Sequence, residues 1–500
     1  MRKIVNLLFK ILMAGMVMTF VFTCIPFEGT LSEVREKAGG DGDEDGDGDD
    51  FDIPLLINLN EVEEYLSAQA GGNLPTNPVP LRLELDLGNM TNVNHNWLKL
   101  IELIDTKGKF VDLDLAGCAM SASNVFSPYK ATATGEFYIV GLTLPDAARG
   151  IADGTNESPT FLHFSNLKSI IGELVVTIGS SSFCGQKDGD SWKGGNELTI
   201  DFPRAGFIGE YAFAHRALPP YYSVLFPNVT VIGDHAFESC PFQSAKFPTT
   251  YDLTIGSYAF SGCYNLNELE IPKADSIGSY AFSGCYFLEN VIAPEVTRIG
   301  DSAFEGCFRL ADVNFNEVVF IGDNAFYRCA FEELSLPKLI MAGDYAFHEC
   351  AFTTLNLPEV WTIGEYAFKD CQNLESLYIP SVTRIGRCAF YFSYGGGTDL
   401  CITLGEEPPI VGDNLFYHLT AAKEVTVMIP STTKAKYGPT PVKEKINDKT
   451  WGNAFWYMGY DPDNSAWAVN GGYGHGAGIN PPVNNEVDKE IVMEIIFDYY

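Results

Sequence analysis

The sequence predicts a solenoid of about eleven short coils joined by one parallel β-sheet, with an irregular α/β cap before the coils and a β-rich cap after them. A recurring motif predicts this fold: a glycine is followed three and four residues later by Ala-Phe, as from Gly278 to Phe282. The central copies lie 21 to 24 residues apart and the outer ones are irregular, as expected when end coils must cover an open core. The phenylalanines of the motif are Phe213, Phe237, Phe260, Phe282, Phe304, Phe326, Phe347, Phe368 and Phe390, with looser copies at Phe183 and Phe416.

Each unit also contains one predicted strand. The apolar residues Leu266, Leu269 and Ile271 alternate in a way that buries one face of a strand. Pro272 ends this strand, because proline has no N–H to donate to a neighbouring strand. The glycine of the motif predicts a backbone corner, formed either by a positive φ or by close approach of two coils.

The repeat unit reads Cys-x-x-Leu-x-x-Leu-x-Ile-Pro-x-x-Val-x-x-Ile-Gly-x-x-Ala-Phe, and from about Ile178 to Phe416 it resembles the BspA-like class of leucine-rich repeats. The segments from Gly108 to Cys118 and from Val425 to Pro430 resemble the flanks of spirochaete-type lipoproteins that carry such repeats. The resemblance implies an exported leucine-rich repeat solenoid that binds other proteins, often as an adhesin for host matrix proteins.

Residues 1–24 predict an export signal. Arg2 and Lys3 precede an apolar run from Ile11 to Phe22, which suits a signal peptide and is too short to span a bilayer. The run ends at Cys24 in a sequence that resembles a bacterial lipobox, so Cys24 is the predicted lipidation site and ordinary secretion is the alternative. A lipid anchor there predicts an outer-membrane or cell-surface protein that meets the membrane only through this anchor.

Residues 25–52 predict a flexible acidic tether. Eight of the twelve residues from Asp41 to Asp52 are acidic, and like charges interspersed with glycine do not collapse. A weak calcium site is the alternative, because four aspartates match ligand positions of an EF-hand loop, although neither flank predicts an amphipathic helix. These aspartates are Asp41, Asp43, Asp45 and Asp52.

The rest of the chain is predicted to comprise an irregular N-terminal repeat and cap region at 53–170, the repeats at 171–420 and a C-terminal cap at 421–500. Asn60 and Glu63 fit a capping box for a helix through Ala68, and a second helix is predicted from Trp97 to Ile104. The predicted cap strands are Leu81 to Leu87, Phe110 to Leu115 and Ile491 to Tyr500.

Composition and motifs exclude several functions. The 65 acidic and 32 basic residues give a net charge of −33, which repels nucleic acid and anionic lipid headgroups. The sequence has no His-Glu-x-x-His, Cys-x-x-Cys or Gly-x-Ser-x-Gly pattern, so no enzyme, no cofactor and no histidine metal site are predicted. The histidines are predicted to lie at the surface: His95, His163, His215, His235, His348, His418 and His475.

Seven of the twelve cysteines occupy one repeat position. Equivalent positions in successive coils lie about 5 Å apart, so these thiols are predicted to form a buried stack of small core residues, with disulfides or metal binding as the alternative. They are Cys240, Cys263, Cys285, Cys307, Cys329, Cys350 and Cys371. The pairing of Cys118, Cys184, Cys388 and Cys401 does not follow from the sequence.

The solvent-facing strand positions form the predicted binding face. The main row is Lys246, Glu270, Ile292, Asn314, Ser335, Asn356 and Tyr378, and the row beside it is Ser244, Glu268, Asn290, Asp312, Glu333, Thr354 and Ser376. Ile292 and Tyr378 are the large hydrophobic residues of the main row, whereas most residues of the two rows are small or acidic. A corner row of tyrosines is a second candidate surface, with half-buried packing as the favoured interpretation: Tyr211, Tyr258, Tyr280, Tyr345 and Tyr366.

Together with the family resemblance, this face predicts an exported, adhesin-like cell-surface protein that recognises host or neighbouring-cell proteins through the solenoid surface, without catalysis. The partner class that the resemblance implies is a host extracellular-matrix or cell-surface protein. The alternative is a structural envelope component, or a protein that associates with itself, without a host ligand.

Overall fold

A computed structural model describes most of the chain from Ile53 onward. The described residues are 53–90, 95–121, 123–128, 134–188, 191–193, 197–219, 223–247, 250–391, 400–407, 409–412, 425–429, 459–461, 466–468 and 495–499. They form the predicted solenoid of stacked parallel coils, which confirms the fold class.

Each central coil contributes two strands, one more than the sequence predicts. The additional strands are mostly two residues long and end just before the motif glycine. They pair in parallel into one thirteen-stranded sheet, here called the second sheet. Its strands are Val125–Phe126, Gly150–Ile151, Thr177–Ile178, Phe207–Ile208, Val231–Ile232, Leu253–Ile255, Ala274–Ile277, Arg298–Ile299, Phe320–Ile321, Met341–Ala342, Thr362–Ile363, Arg384–Ile385 and Ile410–Val411.

The predicted strands form three consecutive parallel sheets, here called the strand face. The first contains Leu55–Leu56, Val79–Leu83, Val111–Asp114, Ile139–Thr143, Ser169–Ile171 and Thr199–Asp201. The second contains Ser223–Leu225, Ser244–Lys246, Glu268–Glu270, Asn290–Ile292 and Asp312–Asn314. The third contains Glu333–Ser335, Thr354–Asn356, Ser376–Ile379, Leu400–Leu404, Val425–Ile429 and Ile495–Tyr499.

Two helices lie before the repeats. Helix α1 (Leu59–Ala68) begins two residues earlier than the capping box predicts, because Asn58 and Glu61 form the same pattern two residues upstream. Glu61 donates its backbone N–H to Asn58 Oδ1 at 3.0 Å. Helix α2 (Asn96–Lys107) confirms the second prediction. The described chain also contains a 3₁₀ turn and two antiparallel pairs: Gly135–Tyr138, Gln186–Asp188 with Ser191–Lys193, and Gly459–Asp461 with Ala466–Ala468.

The phenylalanines of the motif fill the core as one stack. From Phe183 to Phe390 each ring is almost completely buried, and successive ring centroids lie 5.1 to 5.9 Å apart with nearly parallel planes. The backbone beside the rings is also hydrogen-bonded from coil to coil, as where Phe282 donates its N–H to the carbonyl of Ala303 at 2.8 Å. Repetition of one residue thus gives both the apolar core and the alignment of the coils.

The motif glycine allows close approach, and the positive φ occurs two residues later. A Cβ on Gly278 would lie 2.5 Å from the carbonyl carbon of Gly256 in the preceding coil, where no side chain fits. The corner itself turns at Tyr280, whose φ is 58°. Of the two alternatives predicted for this glycine, close approach of two coils is therefore correct and a positive φ is not.

The coils have turns of two lengths before the strand face, and the core residue changes with the turn. Longer turns read Cys-x-x-Leu, as at Cys285 and Leu288, whereas shorter turns read Cys-x-Phe, as at Cys329 and Phe331. Phe331 packs edge-on against Phe326 at a centroid distance of 5.3 Å. The larger ring fills the space left by the shorter turn, since a protein core tolerates few voids.

Candidate functional site

The strand face brings the predicted main row together, with one interruption. Lys246, Glu270, Ile292 and Asn314 are register partners in successive strands, and Ser335, Asn356 and Tyr378 are partners in the next sheet. The interruption falls between Asp312–Asn314 and Glu333–Ser335, which end and begin separate sheets. The predicted row is thus two aligned segments of four and three residues.

Ile292 and Tyr378 are the large hydrophobic side chains of this row, and their exposed fractions are 47% and 40%. Lys246 forms an ion pair with Glu270 at 2.7 Å, and this hydrogen bond raises the lysine pKa. In the adjacent row one prediction is wrong: Ser244 is 9% exposed instead of facing solvent. Ser244 begins the second strand of the five-stranded sheet of the strand face. It follows Pro241 and Phe242 closely in the sequence, in a coil with the shorter turn.

A groove of about 280 Å³ lies on the strand face around Ile292. Its floor is formed by Leu269 and Val291, which point into the core, and its polar walls come from the two predicted rows. The wall residues are Glu268, Glu270, Asn290, Ile292, Asp312 and Asn314. The groove offers carboxylate and amide oxygens around one exposed aliphatic side chain, an arrangement that suits binding and contains no nucleophile or general base with a matched partner.

The tyrosine corner row packs half-buried, as predicted. Tyr258 and Tyr280 stack at 4.7 Å, and His235 continues the stack between Tyr211 and Tyr258 at 4.3 and 4.7 Å. His235 Nδ1 also lies 2.8 Å from Glu238 Oε2. Because the ring faces cover one another, this row stabilises the corner and leaves little free aromatic surface.

Two histidines are buried, contrary to the prediction that all lie at the surface. His95 caps helix α2 by accepting the N–H of Leu98 at 3.1 Å, and its side chain is buried. His348 packs against Tyr327 of the preceding coil, with ring centroids 4.6 Å apart. Both have a lowered pKa because burial penalises the charged form.

His348 belongs to a polar cluster that the sequence analysis missed. The ligand atoms of His348, Glu349 and Asp370 lie within 4.8 Å of one another. Lys369 Nζ, however, lies 3.1 Å from His348 Nε2 and 3.5 Å from Asp370, and Arg328 pairs with Glu349 at 2.7 Å. Two cations thus balance the two carboxylates, and the cluster is a charge-balanced network. In the sequence the residues of this cluster all stand one or two positions after a core phenylalanine, so an alignment of the repeat units would have placed them side by side.

The cysteine stack is buried, as predicted. No disulfide joins its seven members, or Cys118, Cys184, Cys388 and Cys401, within the part of the chain that the structure describes. Burial raises the pKa of Cys285 to about 12 and that of Cys118 to about 11.

The predicted lipidation site Cys24 and the calcium candidates Asp41, Asp43, Asp45 and Asp52 lie outside the described residues. Neither helix in the described part of the chain is long and apolar enough to cross a membrane.

Residues 206–332 and 340–436 match the family described as BspA type leucine rich repeat region, in six copies. A leucine-rich repeat protein from Bacteroides ovatus ATCC 8483 is 17% identical over 60% of this chain and 83% of its own, with a TM-score of 0.37. A leucine rich cell surface protein from Faecalibacterium prausnitzii A2-165 is 20% identical over 51% and 79%, with a TM-score of 0.22. The pneumococcal vaccine antigen PcpA is 16% identical over 61% and 85%, with a TM-score of 0.27. No curated protein matches the sequence.

Proposed function

We propose that this chain, whose repeats are of the BspA leucine-rich type, is an exported cell-surface protein that binds a host or neighbouring-cell protein through its strand face, without catalysis. The observation that carries the proposal is the groove around Ile292, where an exposed aliphatic side chain is surrounded by hydrogen-bonding groups on a rigid sheet. Protein interfaces combine an apolar centre with a polar rim in this way.

The family resemblance supports a host extracellular-matrix or cell-surface protein as the partner class. The apolar run before Cys24 supports export, and Cys24 is the proposed lipid anchor of a spirochaete-type lipoprotein. Mass spectrometry of the mature N-terminus tests this anchor, because a lipidated Cys24 would appear as an acylated first residue. Protease treatment of intact cells tests surface display, since only an exposed chain would be cleaved.

Binding is tested with the mature protein on immobilised host matrix and serum proteins, beside a variant carrying Ile292→Glu and Tyr378→Glu. We expect saturable binding that weakens at least about tenfold in the variant, since apolar residues at the centre of an interface carry most of the energy. Binding that survives the double change would contradict the strand-face site. Absence of binding across the panel would contradict a host ligand and favour the envelope-component alternative.

A further inference from the structure

An exposed aromatic surface lies beside the groove. Its residues occupy the turns that precede three consecutive strands of the strand face, and each is 44 to 50% exposed. These residues, here called the turn patch, are Tyr264, Tyr286, Phe287 and Phe308. Large apolar side chains clustered on a surface mark an interaction site more often than single ones do.

The turn patch exists because these coils have the longer turn. Cys-x-x-Leu places two residues outside the core, whereas Cys-x-Phe places one there, and the next two coils carry only Ala330 and Ala351 at this position. Core packing therefore does not require aromatic residues on the outside of the turn. Tyr286 and Phe308 still stack on each other, with centroids 5.4 Å apart and planes 11° apart.

Two carboxylates beside the turn patch have no ion-pair or hydrogen-bond partner among the described residues. Glu268 and Asp312 follow Tyr264 and Phe308 by four residues, are exposed, and line the groove. Asn290 lies between them in register, so two strand spacings separate the carboxylates by about 10 Å. Two cations lie nearby. Lys246 pairs with Glu270 and also interacts electrostatically with Glu268, and Arg309 pairs with Glu289 at 3.2 Å while its guanidinium lies 4.5 Å from the centre of the Phe287 ring.

We propose that the turn patch, Glu268 and Asp312 form one docking surface for a basic polypeptide segment, which names the partner chemistry and rests on the proposed function. Lysine and arginine carry an apolar stem and a cationic head, so the stems pack on the rings while the heads reach the carboxylates. The net charge of −33 attracts such a segment and repels a polyanion. A neutral glycan fits less well, because it carries no cation for Glu268 and Asp312, which line the groove.

The test uses the mature protein and a fluorescent twelve-residue peptide of alternating arginine and serine, with glutamine replacing arginine in the reference peptide. The charge variant is Glu268→Gln with Asp312→Asn, and the aromatic variant is Tyr286→Ala with Phe308→Ala. Two controls match them elsewhere on the surface: Glu64→Gln with Glu102→Gln, and Tyr251→Ala. Thermal melting verifies that every variant folds.

We expect the basic peptide to bind and the glutamine peptide not to bind. Kd should rise at least about fivefold in the charge variant and in the aromatic variant, and less than twofold in both controls. Equal losses in the controls would overturn the proposal by showing attraction to the acidic chain as a whole. Unchanged affinity in either test variant, or tighter binding of a neutral oligosaccharide than of the peptide, would also overturn it.

The docking-surface proposal and the proposed function can fail independently of each other. If Ile292→Glu with Tyr378→Glu abolishes binding to a host protein and Glu268→Gln with Asp312→Asn does not, the strand-face site stands and the basic-segment proposal falls. If no host protein binds but the peptide assay gives the expected pattern, the proposed host ligand falls and the docking surface stands.

Discussion

Cys285 donates its thiol hydrogen to the backbone carbonyl of Phe260, the core phenylalanine of the preceding coil, with Sγ and O 3.2 Å apart. The other six stacked cysteines make the same bond at 2.9 to 3.3 Å. The cysteines therefore join consecutive coils and do not only fill space. Few side chains are both small enough for this position and able to donate a hydrogen bond.

We expect Cys285→Ala to lower the free energy of unfolding by about 1 kcal/mol, because the carbonyl of Phe260 would lose one of its two donors and keep only the backbone N–H of Cys263. Cys285→Ser keeps a donor and should cost less. Urea unfolding of both variants beside the native protein measures the difference. If both variants lose the same free energy of unfolding, side-chain volume and not the hydrogen bond explains why cysteine occupies this position.

The same cysteines should resist alkylation in the folded protein. Burial raises the pKa of the Cys285 thiol to about 12, so almost no thiolate exists at pH 8, and the sulfur is inaccessible. Iodoacetamide followed by peptide mass spectrometry should label the stacked cysteines only after denaturant is added. Labelling of the Cys285 peptide without denaturant would contradict the buried stack.

Two glycines of one coil should differ strongly in their tolerance of alanine. In Gly284→Ala the nearest atoms would lie 3.8 Å from the added Cβ, and the φ of 73° should cost about 1 kcal/mol. In Gly278→Ala the Cβ would meet backbone 2.5 Å away, so the coils must separate. We expect loss of several kcal/mol or of soluble protein. Thermal unfolding compares them, and similar melting temperatures would contradict the close approach.

Glu136 should make stability depend on pH. Its side chain is buried, Oε2 has no hydrogen-bond partner among the described residues, and burial raises its pKa from 4.5 to about 7. The folded state thus holds the proton more tightly than the unfolded chain, and this contribution is complete below pH 4.5 and lost as the pH rises to about 7. Glu136→Gln cannot ionise, so it should be more stable than the native protein at pH 8 and similar to it at pH 4. An equal difference at both pH values, measured by urea unfolding, would argue against this ionisation.

The sequence predicts the coils well because one set of residues repeats its physical role. Phe282 and its equivalents fix the core, and Leu269 and Ile271 fix the strand that buries one face. The second sheet was missed because strands such as Arg298–Ile299 are too short for an alternating pattern. The positive φ of Tyr280 was missed because a bulky residue seldom adopts it, and here stacking and coil-to-coil hydrogen bonds hold it in place.

The candidate site was predictable in position but not in its details. The alternation of apolar and polar residues in each strand places Glu270, Ile292 and Asn314 on the solvent side of the strand face, and the structure aligns them in register. The interruption before Glu333–Ser335 depends on how successive coils fit, which no single repeat encodes. The turn patch was missed because Tyr286 and Phe308 follow buried cysteines and resemble core residues in the sequence.

The most direct test of the strand-face site compares substitutions at the strand face with substitutions at the second sheet, using one bound host protein. One variant carries Ile292→Glu and Tyr378→Glu, and the control carries Met341→Glu and Trp361→Glu, two exposed residues at the second sheet. Titration calorimetry should show Kd at least about tenfold higher for the first variant and within twofold of native for the control. The reverse order, or equal losses, would contradict a binding site on the strand face.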